Sequence, residues 1–208
     1  MSSVVEICNM ALSHIGHSHR IDDLAEASLE AEQCSLFYEH ARDFVLRADC
    51  DWGFATAFAQ LAEVATNPNP EFSYAYAVPN DCMRVRRILP PAFPQGFLPH
   101  DRCMPTMPEI KFRIINGSSQ RLISTTISPA TLEYTIKIES SEMFDPIFVS
   151  ALSWYLASLV AAPLAKDTSV ALSCYQQYQG DVLRAAAAAL NEGTAEQWPE
   201  SSFITGRY

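Results

Sequence analysis

The stretch Ile147-Phe-Val-Ser-Ala-Leu-Ser-Trp-Tyr-Leu-Ala-Ser-Leu-Val-Ala-Ala-Pro-Leu-Ala165 contains no charged residue. Its length is close to the roughly 18 apolar residues that indicate a transmembrane helix. Three serines and Pro163 interrupt the run, and Trp154 lies in its middle, whereas membrane helices concentrate tryptophan near their ends. A helix that is apolar on all sides is also typical of a protein core. The sequence therefore predicts a buried core helix, with Trp154 largely buried, and no membrane span.

Residues at helical spacing precede and follow this stretch. The segment Ser3-Val-Val-Glu6 has the capping-box pattern that opens a helix, and Gly16 is a suitable residue to end it. Apolar periodicity predicts three further helices, over residues 28–48, 52–61 and 169–190. Because each helix has an apolar stripe that must be buried, we expect residues 1–63 and 142–192 to form one helical bundle.

The composition between the two helical regions is typical of β-structure. After the turn cluster Asn67-Pro-Asn-Pro70, the segment Phe72-Ser-Tyr-Ala-Tyr-Ala-Val78 alternates as a half-buried strand does. Further strands are expected at residues 82–89, 111–115, 120–127 and 131–138, the middle two forming a hairpin. The sequence thus predicts an α+β fold in which residues 64–141 form a central antiparallel β insert.

Two segments show neither helical nor strand periodicity. Residues 90–108 hold six prolines and predict a long loop that contacts a partner. Pro199 blocks extension of the last helix, so residues 193–208 are expected to form an extended C-terminal tail. Its residues from about 195 to 208 are expected to be mobile in the free subunit and to order on a partner. The alternative is that this tail folds back on its own bundle. Aromatic residues and arginine are enriched at binding hot spots. The candidate partner-binding residues are therefore Trp198, Phe203, Ile204, Arg207 and Tyr208 in the tail, and Phe93, Phe97 and Leu98 in the loop.

No pattern of catalytic, cofactor-binding or metal-binding residues is found, so none is assigned. Phosphate-binding, dinucleotide-binding, zinc-protease and serine-hydrolase motifs are all missing from the sequence. His14, His17 and His19 form the densest candidate metal cluster, but Gly16 separates them, and we expect solvated loop histidines. Metal binding by these three residues stays open as the alternative.

The cysteines and the basic cluster also have ordinary interpretations. The six cysteines lack zinc-finger or disulfide-framework spacing, so they are expected to be reduced and structural, as in a cytosolic protein.

Arg84, Arg86 and Arg87 form a basic cluster, which we expect to pair with acidic residues of this chain or of a neighbouring molecule.

The charge balance excludes one class of partner and favours another. The net charge is −10, from 14 basic and 24 acidic residues, which opposes binding to phosphate groups of nucleic acids. Charged residues make up 18% of the chain, below the usual ~25%. This deficit indicates a large core or a surface that partner molecules cover.

In order and spacing, six stretches of the chain resemble the head-to-tail adaptor proteins of short-tailed bacteriophages, of the tubular tail protein A type. They are Ile7-Cys-Asn-Met-Ala-Leu-Ser-His-Ile-Gly16, Ile21-Asp-Asp-Leu24, Tyr38-Glu-His-Ala-Arg-Asp-Phe-Val-Leu-Arg47, Trp52-Gly-Phe-Ala55, Tyr74-Ala-Tyr-Ala-Val-Pro-Asn-Asp-Cys-Met-Arg-Val85 and Phe148-Val-Ser-Ala-Leu-Ser-Trp-Tyr-Leu-Ala157. Residues 90–108 have no counterpart in this resemblance.

The resemblance implies a structural virion protein without enzymatic activity or cofactor. It implies a homo-oligomeric ring, expected to be a dodecamer, that joins the portal protein to the tail nozzle protein and lines the channel through which DNA passes without specific binding. Tail fibres are a further candidate partner. Such a protein is made in the host cytoplasm and resides in the neck of the virion. The alternatives are a tail-associated cell-wall hydrolase and a soluble helical binding module.

Overall fold

The computed structural model of the chain describes residues 2–48, 50–65, 67–89, 110–117 and 120–192. These residues form four α-helices and two small antiparallel sheets, which confirms the predicted α+β class. The predicted loop at 90–108 and the predicted tail at 193–208 lie outside the described residues.

The helices lie close to their predicted positions. They are α1 Val4–His14, α2 Leu29–Arg47, α3 Pro146–Leu164 and α4 Thr168–Glu192. The capping box of α1 is formed: the Glu6 amide donates to Ser3 Oγ at 3.2 Å, and the Ser3 amide donates to Glu6 Oε2 at 2.8 Å. Gly16 follows the helix with a φ of 75°, a conformation that glycine adopts without steric cost.

The strands form two three-stranded sheets. The strands are β1 Thr56–Gln60, β2 Tyr74–Ala77, β3 Cys82–Leu89, β4 Phe112–Asn116, β5 Arg121–Thr125 and β6 Thr131–Ile136. One sheet has the order β1-β6-β3 and the other has the order β2-β5-β4. The predicted hairpin is confirmed as β4 and β5, with Ile114 opposite Ile123.

The predicted helix at residues 52–61 is wrong. A short 3₁₀ turn, Gly53–Ala55, is followed by strand β1. The Trp52 indole donates to the Val45 carbonyl at 2.9 Å and packs edge-on against Phe148, so the chain turns immediately after α2. The segment that follows pairs in a sheet, because tertiary pairing outweighs a weak local preference for helix.

All four helices contribute to one hydrophobic core. In α3, the side chains of Phe148, Leu152, Leu156 and Val160 are fully buried. Residues four apart lie on one face of a helix, so these four form a continuous buried row. Helices from both halves of the chain therefore pack together, as the apolar stripes predict.

The chain forms two compact units, whose limits differ from the predicted domain boundaries at residues 63/64 and 141/142. The first comprises the described parts of Met1–Ala57, Asp81–Val85 and Tyr134–Leu190, and the second those of Phe58–Asn80, Arg86–Glu133 and Asn191–Tyr208. Within the first unit, the Lys137 amide donates to the Asp81 carbonyl at 2.9 Å, and Arg84 donates to the Ala48 carbonyl at 2.9 Å.

Among the described residues, α3 is the one helix that is long and apolar enough to cross a membrane, and more than half of it is buried inside the protein. The described residues therefore do not cross a membrane more than once. The burial agrees with the core assignment made from sequence.

Most of the Trp154 side chain is buried, as predicted, and it packs against the core without being fully enclosed. Phe148 and Leu152 define the buried row of α3, and Trp154 lies off that row, where the His14 ring of α1 covers one of its faces.

Phe148→Ala should lower the free energy of unfolding by about 3–5 kcal/mol, because a fully buried aromatic ring leaves a cavity when it is removed. Denaturant unfolding followed by circular dichroism measures the loss. The matched control is Leu183→Ala in α4, where the side chain is 72% exposed and the change should stay within about 0.5 kcal/mol. Equal losses for the two variants would contradict the core assignment.

Candidate functional site: a polar network and an aromatic surface

The eight residues that sequence reasoning assigned to partner binding all lie outside the described residues. They are Phe93, Phe97, Leu98, Trp198, Phe203, Ile204, Arg207 and Tyr208. Within the described part of the chain, two features of the helical unit have the chemistry of a functional site: a partly buried polar network, and an aromatic surface in which two of four rings are exposed.

The polar network links α1, α3 and α4. His14 Nε2 lies 3.0 Å from Ser153 Oγ, and the Ser153 hydroxyl donates to the Ser150 carbonyl at 2.8 Å. The Ser150 hydroxyl in turn donates to Asp181 Oδ2 at 2.6 Å, and Arg184 donates to Asp181 Oδ1 at 2.9 Å. Because the Ser153 proton is used toward Ser150, this arrangement assigns the Nε2 proton to His14 as donor.

The imidazole of His14 stacks on Trp154, with ring centroids 3.5 Å apart and planes 8° from parallel. Burial lowers the pKa of His14, and the negative charge of Asp181 opposes part of that effect. The neutral ring is therefore favoured in the folded protein.

The network contains serine, histidine and aspartate, the residue types of a hydrolytic triad, but its geometry is different. Ser153 is fully buried, and its proton is directed away from the histidine. The Asp181 carboxylate binds Ser150 and Arg184. A triad needs an accessible hydroxyl whose proton the histidine accepts, so this network serves to hold three helices together.

The three clustered histidines do not converge. His14 belongs to α1 and to the polar network, so its assignment as a solvated loop histidine is wrong. His17 Nε2 lies 3.5 Å from Glu30 Oε1, and His19 is exposed. No group of three or more His, Cys, Asp or Glu residues in the described ranges could hold a metal ion.

The described cysteines are buried, in agreement with the structural assignment. They are Cys8, Cys34, Cys50, Cys82 and Cys174. The hydrogen bond with Cys34, together with burial, raises the pKa of the Cys8 thiol. A thiol of this kind stays protonated at neutral pH and is a poor nucleophile.

The basic cluster of β3 pairs with acidic residues of its own chain. Arg87 lies 2.6 Å and Arg86 3.9 Å from a carboxylate oxygen of Glu133. Arg84 lies 3.7 Å from Asp51. The sequence left open whether these arginines pair within the chain or with a neighbouring molecule, and the structure shows pairs within the chain.

The aromatic surface consists of Phe44 from α2, Tyr155 from α3, and Tyr175 and Tyr178 from α4. Phe44 stacks on Tyr155 at 4.4 Å between ring centroids, Tyr155 meets Tyr178 at 4.9 Å, and Tyr178 meets Tyr175 at 5.7 Å. Phe44 is 42% and Tyr175 36% exposed. The rings form a continuous band across three helices, with solvent-exposed aromatic side chains on both outer helices.

The outer faces of the flanking helices are also suited to a protein partner. Residues 169–180 of α4 contain no charged residue, and Leu172 is 59% exposed. On α2, Leu36 is 66% exposed. Monomeric proteins rarely expose contiguous apolar surface, and the centres of interfaces are depleted of charge. The aromatic surface and these two leucines therefore form the strongest candidate binding site in the described residues.

The sequence does not identify this surface, because Phe44 and Tyr175 follow the same helical spacing as the core-facing residues and only the structure shows them exposed. One signal could have identified it. A helix on the outside of a protein normally has charged residues on its solvent face, and residues 169–180 have none.

Compared with models of known protein families and with curated proteins, the chain matches none.

His14→Gln should flatten the pH dependence of stability between about pH 7.5 and pH 5. The folded-state pKa of His14 is lowered, so below its ordinary value of 6.5 the unfolded chain binds more protons than the folded one. Wild-type stability should therefore fall as the pH drops below about 6.5 and level off once the folded state is also protonated. Denaturant unfolding at a series of pH values measures the slope.

The matched control for this prediction is His19→Gln, since His19 is exposed and outside the network. This variant should keep the wild-type slope. An unchanged slope in His14→Gln would show that the buried environment of His14 does not affect its protonation.

Proposed function

We propose that this chain is a structural virion protein, the head-to-tail adaptor of a short-tailed bacteriophage. In this proposal it forms a homo-oligomeric ring, a dodecamer, between the portal protein and the tail nozzle protein, with tail fibres as a further partner. The ring lines the channel through which the genome leaves. The protein is made in the host cytoplasm and resides in the neck of the virion.

The observation that carries the proposal is the charge-poor aromatic surface of the helical unit. A ring subunit must bury surface against two neighbours and against the proteins above and below it. The exposed rings of Phe44 and Tyr175, and the uncharged outer face of α4, have the composition of such a contact. The choice of an adaptor among structural proteins rests on the resemblance of the six stretches quoted above.

The negative charge of the helical unit supports its proposed role as the lining of a channel through which DNA moves. Its described residues include 15 acidic and seven basic side chains. Non-specific affinity for DNA comes from lysine and arginine contacts to phosphates, and an acidic surface supplies few of them. DNA passing such a wall would meet repulsion and little adhesion.

The rival functions predict different observations. A cell-wall hydrolase needs an accessible acidic pair or nucleophile, and no arrangement in the described residues specifically favours one. A soluble binding module could use the same aromatic surface, but it would act as a single copy. Ring formation on a portal therefore separates the adaptor from both alternatives.

Electron microscopy of the purified protein mixed with portal rings tests the proposal directly. The expected image shows one added ring of subunits at one end of each portal. Portal rings that bind no subunits would contradict it, as would clearing of peptidoglycan in a zymogram that is lost when one acidic residue is changed to alanine.

Truncation before Trp198 should abolish portal binding, because the removed residues include the aromatic side chains and Arg207 that are expected to bind there. Pull-down with portal rings measures binding. The helical circular-dichroism signal and the melting temperature should stay at their wild-type values. A large loss of stability with intact binding would show that the tail folds onto its own bundle instead.

Deletion of residues 90–108 should reduce the yield of assembled tails, because this proline-rich loop is expected to contact a neighbouring subunit or tail component. Prolines lower the conformational entropy that a loop loses on binding. Complementation of an adaptor-deficient phage measures the yield, with normal melting of the deleted protein as the control. Assembly at wild-type yield would contradict the assignment.

A further inference from the structure

We propose that Cys8 of α1 and Cys34 of α2 form a redox-active pair, which an oxidant such as hydrogen peroxide converts to a disulfide. The structure holds both residues as thiols. In the oxidised protein a covalent bond would join two helices that are otherwise held together by packing alone. The bond itself does not depend on the proposed ring or on the portal protein.

The two cysteines lie where α1 and α2 meet in the hydrophobic core. Both side chains are fully buried and belong to the same core cluster. The Cys8 thiol donates a hydrogen bond to the Cys34 sulfur, so the two sulfur atoms are in direct contact. A disulfide requires that they approach to about 2.05 Å. The fold therefore brings two oxidisable sulfurs together from separate helices.

Hydrogen bonds of neighbouring residues hold the connector between these helices. The Asn9 side chain donates to the Ile21 carbonyl at 2.9 Å and accepts from the Ile21 amide at 2.9 Å. At the beginning of α2, the Ala31 amide donates to Ser28 Oγ at 3.3 Å. The connector is thus anchored to α1 at the residue after Cys8, and a capping contact defines the start of the helix that carries Cys34.

The contact makes the two sulfurs chemically different. The hydrogen bond from Cys8 lowers the pKa of the Cys34 thiol, while burial and the Glu30 carboxylate oppose this effect. The same hydrogen bond and burial raise the pKa of Cys8. The thiolate is the reactive form of a cysteine. Cys34 is therefore the sulfur that reacts first with the oxidant, and Cys8 is the thiol that completes the disulfide.

The reaction with hydrogen peroxide proceeds in two balanced steps. The Cys34 thiolate attacks one peroxide oxygen and the O–O bond breaks. This step gives a sulfenic acid and a hydroxide ion, which takes up the proton that Cys34 released. The Cys8 sulfur then attacks the Cys34 sulfur, the S–O bond breaks, and the oxygen leaves with the Cys8 proton as water. In total two thiols lose two electrons, and one peroxide becomes two water molecules.

Burial determines when this reaction takes place. An oxidant reaches the pair only when α1 and α2 separate locally, so the oxidation is slow in the folded protein. In the proposed virion, the subunit is made in a reducing cytoplasm and then released into an oxidising medium, where disulfides persist. This setting rests on the proposed function, whereas the disulfide can be tested on the isolated chain.

The test treats the purified full chain with hydrogen peroxide and compares it with chain kept in dithiothreitol. A non-reduced digest analysed by mass spectrometry should contain one peptide pair that joins Cys8 to Cys34 and is lighter than the two free peptides by two hydrogen atoms. The oxidised chain should melt about 10 °C above the reduced chain, because the bond closes residues 8–34 into a loop and restricts the unfolded state.

Variants assign the shift in melting temperature to this pair. Cys8→Ala and Cys34→Ala should each abolish the difference between the oxidised and the reduced form. The matched control is Cys174→Ala, because Cys174 is also buried but lies in α4, and this variant should keep the full difference. Since each variant is compared with its own reduced form, a loss of stability from the substitution itself does not affect the result.

Complete alkylation of Cys8 and Cys34 after the peroxide treatment would overturn the proposal. The treatment is repeated in urea below the unfolding transition, which populates the locally opened state, so that burial alone cannot account for a negative result. A disulfide from either residue to another cysteine, or a Cys8–Cys34 disulfide that does not raise the melting temperature, would also overturn it. Portal binding is not measured here, so the adaptor function and the disulfide can fail independently.

Discussion

Burial of α3 is the constraint on which the helical unit depends. The helix begins at Pro146, with the Asp145 carboxylate accepting from the Ile147 amide at 2.7 Å, and then continues without a charged residue to its end. Fully burying one large aliphatic or aromatic side chain contributes about 1.5–3 kcal/mol, and α3 buries a row of them. The other three helices are positioned by the need to cover it.

The polar network shows how serines are accommodated in so apolar a helix. A buried hydroxyl without a partner is costly, so each serine that faces a neighbouring helix must find an acceptor or a donor there. Ser150 reaches Asp181 of α4, and Ser153 meets His14 of α1. These two contacts tie α4 and α1 to α3.

The exposed aromatic band has the opposite role. Tyr155 is mostly buried in α3, and burial raises the pKa of its hydroxyl, while its neighbours Phe44 and Tyr175 are exposed on either side. At Phe44 and Tyr175 the hydrophobic core therefore extends to the protein surface. Exposed aromatic surface costs free energy in a monomer, whereas in an assembly such surface lies at the centre of a contact. The low overall content of charged residues is explained at least in part by this surface.

Local signals in the sequence determined the four helices, the hairpin and the α+β class. Capping residues, helical spacing and strict alternation act over a few neighbouring positions, and for that reason they can be read without the fold. Only the tertiary structure decided that residues 56–60 form a strand, because their pairing partner lies far along the chain. The same holds for the network around His14 and for the exposure of Phe44 and Tyr175. An apolar residue on a helix has the same local pattern whether the core or a partner covers it, and only the packing of the other helices distinguishes the two.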